Sequence, residues 1–180
     1  MDLTILKMDE TTLERVNECN EPFLIDSQLV LHEHSGELST STVPVAAHQK
    51  SYPSEDKDYA DYVKDPDMAV FLAFAEGELA GYIRLLKHWN AYGYVDDIAI
   101  KDRFRRRGVG RALILRAIEW ARERGFPGLM LETQNNNVAA CRLYESCGFR
   151  LGGFDRYLYR GLHPGTDEIA LYWYFLFESS

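Results

Sequence analysis

The chain has no apolar run long enough to span a bilayer, and its first ten residues, Met1–Glu10, are mixed and acidic rather than a secretory signal. Those absences predict a cytoplasmic protein with no membrane partner. Cysteine is scarce. The three present, Cys19, Cys141 and Cys147, cannot all pair with one another, which suits a reducing compartment. None sits at zinc-ligand spacing, so no metal is expected. Basic residues are outnumbered, 20 Lys and Arg against 28 Asp and Glu, for a net charge of −8. That balance argues against a nucleic-acid partner, because phosphate contacts dominate such binding, and toward cations. Internal repeats and low-complexity linkers are missing too. A length of 180 residues at 46% hydrophobic content then predicts a single domain, 1–180, with a sizeable core, as a monomer or homodimer.

Against this acidic background one basic cluster stands out: Lys101, Arg103, Arg105, Arg106, Arg107 and Arg111. It surrounds Gly108-Val109-Gly110, after an apolar run ending at Ile100 and before an amphipathic run, Arg111–Glu123. Strand, basic glycine turn and helix start together predict an anion cradle. The first helical N–H groups lack intrahelical partners, and the helix dipole favours negative charge there. A solvated basic face is the plainer alternative. Two familiar phosphate loops are excluded. No Gly-x-x-x-x-Gly-Lys run followed by Ser or Thr exists, and Leu113 occupies the place of the third glycine in a dinucleotide-binding turn.

Hydrophobic periodicity supplies the frame. Strands are expected at Gln28–Glu33, Ala69–Ala75, Leu79–Leu86, Ala91–Ile100, Gly128–Thr133, Phe149–Leu151, Asp155–Tyr159 and Ala170–Phe177. A short helix is expected from Asp9 or Thr11 to about Asn17, and others over Arg111–Glu123 and Val138–Ser146. In the second of these, Leu113, Ile114, Ala117, Ile118 and Ala121 mark one buried face, and Gly125 and Pro127 end it. Asn135-Asn136-Asn137 offers a cap for the last helix. Ser35–Asp67, with Pro44, Pro53 and Pro66, reads as loops with one short helix near Tyr59–Val63. The fold class expected is α/β: a mixed, partly antiparallel sheet flanked by helices, with a right-handed parallel strand–helix–strand unit in its middle.

Arg105-x-x-Gly108-x-Gly110 matches the pyrophosphate signature of GNAT-family N-acetyltransferases, which the chain resembles. Asn137-x-x-Ala140-x-x-x-Tyr144-x-x-x-Gly148-Phe149 matches that family's second element at the right distance. Trp89-Asn90, Val95–Ile100, Gly128–Gln134, Cys147–Phe149, Leu158-Tyr159 and Glu21-Pro22-Phe23 are similar to the streptothricin acetyltransferases in particular. The resemblance implies a GNAT-like fold, acetyl-CoA as cosubstrate and a small cationic amine as acceptor: the β-lysine moiety of streptothricin, an antibiotic that acetylation inactivates. The same machinery could instead acetylate a protein N-terminus, a lysine or a polyamine. An acyl-CoA-binding module without catalysis belongs to a different class.

The resemblance also distributes roles. Backbone groups of Ile98, Ala99 and Ile100 are expected to pair with the donor's pantetheine amides as an added strand would. Arg106, Arg107, Gly108, Val109, Gly110 and Arg111 hold the pyrophosphate, Arg105 and Arg106 the ribose phosphate. Asn137 and Ala140 lie at the donor, and Tyr144 sits beside the sulfur, able to protonate the leaving thiolate. An amine resembling lysine has a pKa of about 10.4, so below roughly one part in a thousand is free base at pH 7. A carboxylate must bind the ammonium or take its proton. Asp97, Asp96 and Glu132 are the candidates. Asp96 and Asp97 as strand neighbours face opposite sides unless a bulge intervenes, and the family usually has one on this strand. Trp89, Asn90, Tyr94, Asp96, Glu132 and Tyr157, with Tyr92, are the candidate acceptor-binding residues, the aromatics by cation–π contact. Glu55, Asp56, Asp58 and Asp61 could steer a polycation toward the site.

Overall fold

A computed structural model describes residues 2–52 and 59–178. In chain order its elements are β1 (Leu3–Lys7), β2 (Phe23–His34), β3 (Glu37–Lys50), α1 (Ala60–Lys64), β4 (Met68–Ala75), β5 (Glu78–Lys87), β6 (Gly93–Ile100), α2 (Val109–Glu123), β7 (Gly128–Gln134), α3 (Val138–Ser146), β8 (Arg150–Asp155) and β9 (Ala170–Leu176). Short 3₁₀ turns occupy Leu13–Cys19, Asp102–Phe104 and Leu158–Gly161. The fold is mixed α/β with mostly antiparallel strand pairing, as expected. Its residues fall into two compact units: the described parts of 1–23, 51–129 and 177–180, and of 24–50 and 130–176.

In the first unit β1, β4, β5 and β6 follow one another in an antiparallel sheet. The apolar runs that make β4 and β5 are continuous rather than alternating, because both faces are covered. Helix α2 packs on β4, β5 and β6, and the five residues of its expected apolar face are all buried. A second layer, with Met8, Val16, Cys19, Tyr59 and Tyr62, packs on Val70, Leu72 and Tyr82. Of these, Val16 and Cys19 sit in a 3₁₀ turn, Leu13–Cys19, where the sequence suggested an earlier α-helix.

In the second unit β9 lies between β7 and β8, and β2 pairs with β3 in a separate two-stranded ribbon. The ribbon corrects the expectation of loops from Ser35. Ser35 and Gly36 both have positive φ, 54° and 83°, which is the backbone a tight hairpin turn demands. The return strand runs 14 residues with Leu38, Thr40, Val43 and Val45 half-buried at alternating or near-alternating positions. Pro44 looked like a breaker, but in a two-stranded ribbon each strand has an outer edge where a missing N–H is tolerated. Asn135 ties the ribbon down. It pairs with Leu29 through both backbone and side chain, at 2.8 and 3.1 Å.

Another correction concerns Asp155–Tyr159. The strand stops at Asp155, whose Oδ1 accepts from the N–H groups of Tyr157 at 2.6 Å and Leu158 at 3.1 Å. That local turn competes with strand pairing and leads into the 3₁₀ turn of Leu158–Gly161. Asn137 does cap α3, accepting from Ala140 N at 3.3 Å.

Candidate active site

The arginine–glycine turn joins β6 to α2. Arg106 and Gly108 both adopt positive φ, 58° and 88°, so the turn carries two left-handed residues just before the helix. Gly108 is the N-cap, where its missing Cβ makes that conformation available at little cost. No side chain caps α2, whose first N–H groups therefore remain for a ligand. The arginines divide their work. Arg105 folds back on the protein: its guanidinium donates to the carbonyls of Ile100 at 3.1 Å and Pro22 at 3.4 Å and pairs with Asp102 at 3.2 Å. It holds the turn's shape. Arg107 pairs with Glu76 at 2.5 Å and lies over the Phe104 ring. Arg106 is exposed at the turn's apex. Left-handed residues flanking an uncapped helix start in a basic setting fit a pyrophosphate.

Upstream on β6, strand pairing slips by one residue. Arg84 faces Asp97 and Leu85 faces Val95, which leaves Asp96 as a bulge. Both carboxylates consequently reach side chains on a single face of β5. Arg84 Nε donates to Asp96 Oδ2 at 2.5 Å, and Tyr82 Oη donates to Asp97. Tyr62 Oη, on α1, approaches Asp96 Oδ2 at 3.4 Å. Burial and the neighbouring Asp96 push the Tyr62 hydroxyl up to about 12. Burial, then Asp97, raises Tyr82 further. Burial alone would lower Arg84, but the two carboxylates more than offset it, and the guanidinium stays charged.

Trp89 and Asn90 form the turn before β6. Asn90 Oδ1 lies 3.0 Å from His88 Nδ1, His88 stacks on Tyr94 at 4.9 Å between ring centroids, and Trp89 is 89% exposed. Asp61 lies on α1, whereas Glu55, Asp56 and Asp58 lie outside the described residues.

In the second unit Glu132 projects from β7 and takes a hydrogen bond from Tyr159 Oη. Burial pushes its carboxyl up to about 7, against the opposing pull of Lys50. Lys50, at the end of β3, forms an ion pair with Glu168, which also accepts from Asn136 Nδ2 at 2.9 Å. Burial raises Glu168, but these two donors hold it below the ordinary carboxylate range. Tyr144 is buried on α3 against Phe149, 5.9 Å between ring centroids. Tyr157 is 69% exposed and lies under the Arg160 guanidinium.

Residue-type reasoning passed over Arg84, Tyr82, Tyr62, Tyr159 and Lys50. Arg84 had a signal: it is the one charge inside the apolar run Leu79–Leu86. Tyr159 was visible only as part of the Leu158-Tyr159 pair.

A basic, uncapped strand-to-helix turn beside half-buried carboxylates suits an acyl-CoA-dependent transferase, with an anion cradle next to acidic groups. The acetyltransferase (GNAT) family profile matches residues 34–149, and the chain belongs to that family. Streptothricin acetyltransferase A of Bacillus subtilis strain 168 is 36% identical over 174 residues, 96% of this chain and 99% of that protein. The crystal structure of a Bacillus anthracis strain Ames protein in complex with acetyl coenzyme A superposes with a TM-score of 0.90 at 38% identity, over 98% of this chain and 100% of that one. The crystal structure of nourseothricin acetyltransferase gives 0.81 at 31% identity, over 98% and 99%. This protein is an acetyl-CoA-dependent acetyltransferase. Among the described residues, no helix is long and apolar enough to cross a membrane, and no cluster of His, Cys, Asp and Glu is placed to hold a metal ion.

Proposed function

We propose that residues 1–180 act as one domain that acetylates an amine on the β-lysine moiety of streptothricin, by direct attack of the amine on the thioester, giving antibiotic resistance. The observation that carries this reading is the likeness to a streptothricin acetyltransferase over 96% of the chain. The residues supply what the reaction needs. Acetyl-CoA brings an activated acyl group whose thiol is a good leaving group.

The chain does the rest. Backbone N–H groups of Arg106–Arg111 bind the pyrophosphate, and strand backbone at Ile98–Ile100 aligns the pantetheine. A carboxylate of the Asp96–Asp97 pair binds the acceptor's ammonium. Glu132, with a pKa of about 7, suits a general base at neutral pH, since its carboxylate form is abundant there and still basic enough to accept a proton. The amine nitrogen forms its bond to the acyl carbon as the carbon–sulfur bond breaks. Tyr144 Oη gives its proton to the departing thiolate.

Release of free thiol from acetyl-CoA tests the proposal, with streptothricin, a polyamine, free lysine and a peptide N-terminus compared as acceptors. Streptothricin is expected to support the highest kcat/KM, with one acetyl group found on the β-lysine moiety by mass spectrometry. Turnover confined to the other amines would move the acceptor assignment. Donor binding without turnover of any amine would refute it.

A further inference from the structure

The face of β5 that carries Tyr82 and Arg84 holds a charge arrangement that binding the acetyl donor does not require. Arg84 is 5% exposed, within a strand whose other inward residues are apolar. Its partner Asp96 sits at the bulge, and the neighbouring Asp97 reaches the same face. One guanidinium therefore serves two carboxylates. Stranding a buried guanidinium is costly, so it must keep one carboxylate as a true ion-pair partner. Asp96 meets that need at 2.5 Å, with Tyr62 on the same oxygen. Asp97 receives a neutral donor, Tyr82, while Arg84 acts on it through space rather than as an ion-pair partner. Titratable groups facing this cluster include Tyr59 at the N-cap of α1, Tyr62 on α1, Tyr82 and Arg84 from β5, and Asp96 and Asp97 from β6. A half-buried carboxylate met by a neutral donor, as Asp97 is, favours a cationic guest.

We infer that Arg84 is a positioning residue that pins Asp96 as its structural counter-ion and leaves Asp97 to hold the acceptor's ammonium group. The inference rests on the acceptor being a cation, as proposed above. Tyr82 fits the division: as a neutral donor it orients the Asp97 carboxylate without cancelling its charge, which a lysine or arginine there would do.

Steady-state kinetics test it on wild type, Asp97→Asn, Arg84→Gln and the double variant Arg84→Gln/Asp96→Asn, with melting curves confirming the folded state. Asp97→Asn is expected to raise the acceptor KM about tenfold or more, with the acetyl-CoA KM within about twofold. Arg84→Gln releases the Asp96 carboxylate from its 2.5 Å ion pair beside Asp97, and the acceptor KM is expected to rise severalfold. Adding Asp96→Asn removes the carboxylate that lost its Arg84 partner. It should bring the acceptor KM back toward wild type, a recovery that a merely structural Arg84 would not give. If Arg84→Gln fails to fold, the Asp97 variant and the double variant still decide. An unchanged acceptor KM in Asp97→Asn overturns the assignment, as does a double variant whose KM stays as high as that of a folded Arg84→Gln.

The two readings fail separately. Should the wild type prefer another cationic amine to streptothricin, the acceptor named above falls, and the same comparison proceeds with that amine. Should it turn over no amine, calorimetric titration of streptothricin into wild type and Asp97→Asn decides. Weaker binding to the variant supports the inference, and equal or absent binding in both overturns it.

Discussion

Two half-buried carboxylates in this protein meet different partners. Asp96, in the first unit, meets a buried guanidinium at 2.5 Å. Glu132, in the second, meets a tyrosine hydroxyl and feels Lys50 only at a distance, so burial lifts it to about 7. The difference teaches what each is suited to do. A carboxylate held by a cation is a good anchor. One raised by desolvation is poised to exchange a proton at neutral pH. Lys50 is kept from quenching Glu132 by its own ion pair with Glu168.

The sharpest way to break this comparison is to make the same chemical change at both sites. Glu132→Gln should lower kcat by about 10²–10⁴-fold, the range for loss of a general base, with acetyl-CoA affinity little changed in direct titration. Asp96→Asn should act first on stability. It replaces the carboxylate of the Arg84 ion pair by a neutral amide and is expected to cost about 3 kcal/mol in denaturant unfolding.

The amide at Glu132 should do the reverse. Between pH 4.5 and about 7 the folded protein keeps a proton on Glu132 that the unfolded chain has released. Wild-type stability from this group is therefore full below pH 4.5 and falls as pH rises toward 7. Glu132→Gln escapes that loss. It should be more stable than wild type by ~1–2 kcal/mol at pH 8, with the advantage gone at pH 4.5, as read from melting curves at the two pH values. Equal destabilisation by both amides would erase the distinction.

Smaller changes sharpen it. Tyr159→Phe removes a hydrogen bond to the charged form of Glu132, and Lys50→Met removes the cation that pulls its pKa down. Both should move the activity limb governed by Glu132 to higher pH in kcat profiles. A downward shift in either would contradict the arrangement.

Local rules made part of this legible in the sequence. The Arg105–Gly110 turn, the buried face of α2 and the Asn137 cap each depend on residues within a few positions of one another. The bulge at Asp96 does not. It is a property of pairing between β5 and β6, so residue types alone named Asp96 and Asp97, and only the family resemblance pointed to a bulge that brings them to one face. The Arg84 network was hidden for the same reason, although a lone arginine amid Leu79–Leu86 hinted at a buried partner. β3 was missed because Pro44 and a polar alternation resemble a loop until an edge position accommodates them. The Glu132–Tyr159 contact joins residues 27 apart across a turn whose start, at Asp155, depends on one side-chain oxygen.

The central claim is that a carboxylate raised by burial takes the proton from the acceptor amine. Measurement of kcat against pH, with streptothricin and acetyl-CoA both saturating, tests it in wild type and Glu132→Gln. The expected result is a wild-type rate that climbs through an ionisation near pH 7, absent from the much slower variant. The same ionisation in both proteins, at similar rates, would contradict it.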